Sequence, residues 1–152
     1  MQKDLSSIGI KAEIKSLAQS TVIAAGGEKD QAPLLWSGGM AWIADFPDPS
    51  NFYVVLGCGG AVPGGWNWSW YCNEDVDPKA KIADGMFQAE KSAERLELWR
   101  SIFVDIMNDA PWVPVFNELR VTMHSEKIGA EDNALFVDPT HIPVHYDYVS
   151  VK

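Results

Sequence analysis

A chain of 152 residues is long enough for one hydrophobic core. Its 12 basic and 21 acidic side chains leave a formal charge of −9, a surface that repels phosphate backbones and anionic lipid, so nucleic acid and membrane surfaces are excluded as partners. With 47% apolar and 22% charged residues the composition is that of a globular protein, and no apolar run approaches the roughly 20 residues of a spanning helix. The first residues, MQKDL, hold no apolar signal-peptide core, which suits a cytosolic protein and a piece of a longer one equally well.

In chain order, residues 2–8 read as the end of a helix, with Leu5 and Ile8 three apart and Gly9 as the cap. Residues 10–15 (IKAEIK) alternate apolar and polar, the pattern of a half-buried strand. Ser20 is placed to cap a short helix over residues 21–25, ended by Gly26 and Gly27. Residues 33–42 form an apolar run expected to be a buried strand. Residues 45–50 (DFPDPS) are a loop, because two prolines fix φ and remove donors, and Pro49 opens a short helix through Leu56. Four glycines and a proline make residues 58–65 an irregular surface loop.

Asn73 is an N-cap candidate for a helix reaching about Met86. The strongest helix covers residues 89–108, where Leu96, Trp99, Ile102, Phe103, Ile106 and Met107 form one stripe and Glu94, Arg95, Glu97 and Arg100 lie outside. Pro111 stops it. Residues 113–116 and 119–123 read as strands, 127–139 as polar loop and 144–151 as a last strand. The fold class is α/β, with helices and strands interleaved.

Three patterns bear on chemistry. His141 and His145 are four apart, but Pro143 makes that segment extended, which separates them by roughly 13 Å; no metal site is expected. The segment from Asp45 to Asn51 lacks the central Gly and closing Glu of an EF-hand loop. Asp45 and Asp48 together suit the acid–base pair of a glycosidase, although carboxylates at this spacing are common on surfaces. Trp66, Trp68 and Trp70 alternate, so an extended backbone would put three rings on one face, either as a carbohydrate platform or as a cover for the long helix. Asn67-Trp68-Ser69 matches a glycosylation sequon. Cys58 and Cys72 are either a disulfide closing a loop of about 15 residues or two unrelated buried thiols.

Four segments, in order, resemble one family. IGIKAEI (residues 8–14), WIADFPDPSNF (42–52), NWSWYCNEDVD (67–77) and DAPWVPVF (109–116) are similar to the LxxIGIxVEI, WxADYPDPxNF, NWSGYSNPEVD and DAPWIPLY motifs of the family 5 extracellular solute-binding proteins. These are the periplasmic dipeptide, oligopeptide and nickel-chelate receptors of ABC importers, two-lobed proteins of roughly 500 residues.

The resemblance implies a partial C-terminal lobe of a two-lobed periplasmic binding protein, a mixed sheet flanked by helices. Residues 1–118 would belong to that lobe, and residues 119–152 would return to the other lobe, which this chain lacks. It implies a peptide or similar small amine-bearing solute as ligand, ABC permease subunits as partners, a periplasmic location, no cofactor and no covalent chemistry. Asp45 takes the position that pairs with a ligand ammonium and Trp42 the position that lines the pocket. Phe46 stands where Tyr is common, losing a hydroxyl. Trp42, Asp45, Phe46 and Trp68 are thus the candidate ligand-binding residues, with Trp42 and Asp45 expected to face a cleft or open surface. A disulfide between Cys58 and Cys72 is implied by its presence in this region of some dipeptide receptors. Val121, Met123, Val144, Tyr146, Tyr148 and Val149 would lack their partners in the other lobe, so the tail is expected to fold back, to self-associate or to be poorly ordered.

Overall fold

The computed structural model describes residues 2–32, 42–114, 123–130 and 149–152. Among them are five α-helices and one two-stranded sheet: α1 (Gln2–Ser7), α2 (Gln19–Gly26), α3 (Pro49–Tyr53), α4 (Asp77–Asp84), α5 (Ser92–Asp109), β1 (Ile128–Ala130) and β2 (Val149–Val151). Short 3-10 turns at Cys58–Gly60 and Ala89–Lys91 precede the Trp loop and α5.

The core lies between α4 and α5. Ala80 and Ala83 of α4 let it approach closely, and Trp99, Ile102 and Ile106 of α5 fill the gap with Val55, Leu56 and Val76. Tyr53 tilts against Trp99 and Trp99 stacks on Phe103, with ring centroids 5.6 and 6.0 Å apart. The buried stripe is narrower than the periodicity implies, because Leu96 lies on the exposed side of the helix. Helix α5 ends at Ala110, which adopts a left-handed φ of 52° and donates its N–H to the Met107 carbonyl. Pro111 then bars continuation.

Several boundaries differ from the expectation. Ser20 lies inside α2, whose N-cap is Ala18. Asn73 does not begin a helix; its side chain accepts from the Asp75 amide (2.9 Å), forming a local turn, and α4 starts at Asp77 with Pro78 in its first turn. Residues 10–15 belong to no helix or strand. Alternation marks two faces, yet a strand also needs a partner backbone; the tie here is a side chain, Gln2 Nε2 donating to the Ala12 carbonyl (2.8 Å). The expected polar loop contains β1, paired antiparallel with β2 in the register Ile128↔Val151 and Ala130↔Val149. Of the expected strand at 144–151, residues 149–151 are a strand. The expected strand at 113–116 is unpaired coil at Val113 and Pro114. Residues 33–41, 115–122 and 131–148, with the strands and histidines expected there, lie outside the described residues.

Cys58 and Cys72 form a disulfide, with Cα atoms 4.4 Å apart. Inside the loop it closes, Asn67 is 1% exposed. Its Nδ2 donates to the Gly57 and Tyr71 carbonyls (2.9 and 2.8 Å), and its Oδ1 accepts from Ser69 Oγ (2.6 Å). This side chain is a strut, so the sequon at Asn67 is enclosed.

Candidate functional site

The segment from Trp42 to Asn51 carries the charged and aromatic groups that stand out in the sequence. Its far end is set by Asp48, which caps α3 by accepting from the Ser50 amide (2.9 Å) just before Pro49. The same carboxylate takes two hydrogen bonds from Arg95, Nη1 to Oδ2 at 2.7 Å and Nη2 to Oδ1 at 2.9 Å. Arg95 Nε also donates to the Ala83 carbonyl (3.0 Å), and its guanidinium lies 6.0 Å from the Trp99 ring centre. One side chain of α5 thereby ties the loop to α4 and the core. Arg95 is not on the solvent side where the helical pattern puts it.

The guanidinium hydrogen bonds hold the Asp48 carboxyl down at about 2. A general acid needs the opposite shift, and Asp48 is already occupied by an N-cap and an ion pair. The Asp45–Asp48 glycosidase reading therefore loses one of its two members.

The near end of the segment is organised by Asn51, 3% exposed. Asn51 Oδ1 accepts from the Trp42 indole Nε1 (2.9 Å) and from the Asp45 backbone N–H (3.1 Å). Asn51 Nδ2 donates to Asp45 Oδ2 (3.1 Å). Asp45 itself is exposed, Trp42 is half-buried against the core, and Phe46 is 48% exposed beside them. Asn51 thus brings Trp42 and Asp45 together, with the exposed Phe46 next to Asp45 in the chain.

Trp68 behaves differently. It is 6% exposed and packs on Gly26 at the end of α2, where any Cβ would run into its ring. The accessible ring of this loop is Trp66, 47% exposed, which stacks on Trp68 at 6.1 Å and tilts against Trp42 at 5.9 Å. Trp70 takes a left-handed φ of 54° and donates its Nε1 to the Gly26 carbonyl (3.3 Å). The three rings do not share a face, because the backbone is turned rather than extended; a flat three-ring platform is not formed. An apolar groove of about 170 Å³ runs beside Trp66, lined by Ile23, Ala24, Gly27, Gly64, Gly65 and Trp68.

Asn51 and Arg95 escaped the sequence reading as site residues. Asn51 sits three residues after a likewise polar Asp48, and nothing in its spacing says that it turns back on Asp45. The legible signal for Arg95 was weak too: a long cation on a helix face adjoining two buried alanines.

No family profile matches the chain. Among curated proteins it is similar to di/tripeptide-binding protein 4 of Pseudomonas aeruginosa, 30% identical over 144 residues. It is also similar to heme-binding protein A of Haemophilus influenzae, 33% identical over 81 residues, or 53% of the chain. A solved structure with the same fold is the ABC transporter-associated periplasmic binding protein DppA of Helicobacter pylori in complex with the peptide STSA. The TM-score is 0.73 and the identity 24%, over 99% of this chain and 27% of that one. The fold, helices with a small two-stranded sheet, matches that of a portion of a periplasmic binding protein. The similarity to a di/tripeptide-binding protein and the shared fold agree with the resemblance to the family 5 extracellular solute-binding proteins. The chain spans 25% and 14% of the length of the two curated relatives.

Proposed function

We propose that this chain is part of the substrate-binding component of an ABC importer, holding a peptide or similar small amine-bearing solute. The observation that carries the reading is the exposed Asp45 carboxylate, fixed by Asn51, which also holds the Trp42 indole. An oriented carboxylate at an aromatic surface suits a primary ammonium, which offers three N–H donors and one positive charge. Trp66 extends the aromatic wall, and the buried Trp68 supports it from behind rather than touching ligand.

In this reading residues 1–118 form part of one lobe and residues 119–152 part of a return to a second lobe. Ligand bridges the two, and the closed form is presented to permease subunits in the membrane from the periplasmic side. The protein performs no covalent chemistry of its own. Contacts from both lobes set the affinity, and the exposed Met123 and Val151 side chains favour self-association.

The test is an NMR titration of the chain with Ala-Ala and with N-acetyl-Ala-Ala. The free amine binds at least about tenfold tighter, a difference of about 1.4 kcal/mol, and Asp45→Asn removes the difference. Equal affinities in the native protein, or binding of a cello-oligosaccharide that is lost on Trp66→Ala and kept on Asp45→Asn, would replace the amine reading by a carbohydrate one.

A further inference from the structure

We infer that Asn51 is the positioning residue of the amine site: it sets the direction in which Asp45 presents its carboxylate. The inference rests on the reading of Asp45 as the amine partner and goes beyond it by naming what makes that carboxylate selective.

The chemistry of the contacts fixes the orientation of the Asn51 amide. The Trp42 indole N–H and the Asp45 backbone N–H converge on one atom, at 2.9 and 3.1 Å. Both groups can only donate, so that atom is the amide oxygen. The other end is then NH₂, and it faces Asp45 Oδ2 at 3.1 Å. Asn51 therefore grips Asp45 twice, through the main chain and through the carboxylate, while also locking the Trp42 ring. Being 3% exposed, it makes these bonds away from competing water. Its own placement is set by α3, where Asp48 and Pro49 start the turn, and by Arg95, which holds Asp48.

Few other side chains fit this position. Asp supplies the acceptor but sets a second carboxylate against the first. Leu supplies neither group. Ser is too short to meet Trp42 and the Asp45 carboxylate together, and Gln carries an extra methylene that displaces one contact. The arrangement gives Asn51 a role distinct from general loop stability: it determines where a ligand ammonium finds its partner oxygen.

The test compares Ala-Ala with N-acetyl-Ala-Ala on the native chain, Asp45→Asn and Asn51→Ala. A scaffold role lowers affinity for both ligands alike; a positioning role lowers it for the free amine. The expected result is that Asn51→Ala loses about tenfold toward Ala-Ala and leaves N-acetyl-Ala-Ala unchanged. An equal fall for both ligands, or a preserved amine preference, overturns the inference. If the native chain shows an amine preference that Asp45→Asn removes, the underlying reading stands whatever Asn51→Ala does; if it shows none, both fall.

Should Asn51→Ala fail to fold, Asn51→Asp keeps the acceptor for both N–H donors and replaces only the NH₂ that faces Asp45. The like charge it sets against Asp45 turns that carboxylate away, so this variant too loses about tenfold toward Ala-Ala and leaves N-acetyl-Ala-Ala unchanged. An amine preference preserved in that variant overturns the inference.

Discussion

Arg95 and Asp48 stand 47 positions apart in sequence and meet in a two-pronged ion pair, at 2.7 and 2.9 Å, with both side chains largely shielded from water. The pair joins the long helix to the loop that carries Trp42, Asp45 and Asn51. The same Asp48 carboxylate starts α3, so one group anchors both the loop and the helix.

Removing the cation leaves a half-shielded carboxylate without its partner. Arg95→Ala is expected to destabilise the chain by about 2 kcal/mol, the range of charge-assisted hydrogen bonds. The pH dependence has a definite sign. Asp48 has a folded pKa of about 2, below the ~3.9 of an unfolded Asp. Its contribution is therefore complete above about pH 4 and lost as pH falls toward 2. Thermal melts at stepped pH should show a steeper acid decline for the native chain than for Arg95→Ala. Parallel curves would assign the acid sensitivity elsewhere.

The disulfide closes the loop that presents Trp66 and buries Trp68. Its sequence separation of 14 corresponds to roughly 3 kcal/mol of chain-entropy stabilisation. Reduction with dithiothreitol, or replacement of both cysteines by Ser, should lower the melting temperature by about 5–10 °C. Because Trp68 is held within that loop, its fluorescence should shift to the red as the loop opens. An unchanged melt and spectrum would mean that Asn67 alone maintains the loop.

Asn67 makes three side-chain hydrogen bonds in a space closed to water. Asn67→Ala strands the Gly57 and Tyr71 carbonyls and the Ser69 hydroxyl, and should cost about 2–3 kcal/mol in chemical denaturation. Ser69→Ala removes one bond of the set and should cost less. A larger effect for Ser69→Ala would reverse the order of importance assigned to the two residues.

Gly26 ends α2 directly against the Trp68 ring, and Gly27 hydrogen-bonds through its carbonyl to the Gly64 amide (2.9 Å). Gly26→Ala drives a methyl group into the indole and should destabilise by about 1–3 kcal/mol. Trp68 should become more accessible to acrylamide quenching in that variant. Gly59→Ala meets open space and should change neither property measurably, which makes it the matched control.

Much of the architecture is legible in local pattern. The apolar spacing of Trp99, Ile102 and Ile106, the Pro111 stop, the Pro47–Pro49 loop and Gly9 at a positive φ of 85° all follow from rules that act within a few residues. The family resemblance, spread over four short segments, pointed to Asp45 and Trp42 as candidates and implied the disulfide, which the structure contains. The helix boundaries at Ser20 and Asn73 differ from the pattern because a capping residue type says that its side chain can bond a nearby backbone N–H, not which one. Asn73 uses that capacity in a turn before the helix.

By itself, then, the sequence determined the longest helix, the Pro-rich loop and the side-chain chemistry of the candidate site, since these depend on periodicity, φ restriction and residue type along the chain. Only the tertiary structure decided that Arg95 turns inward to Asp48, that Asn51 grips Asp45 and Trp42, and that Trp66 faces outward while Trp68 is buried. Each of those outcomes depends on which groups compete for a limited buried space after the elements pack. A charge, an amide or an indole carries no local signal of the partner it will meet once the elements pack; desolvation leaves it stable only where that partner is waiting.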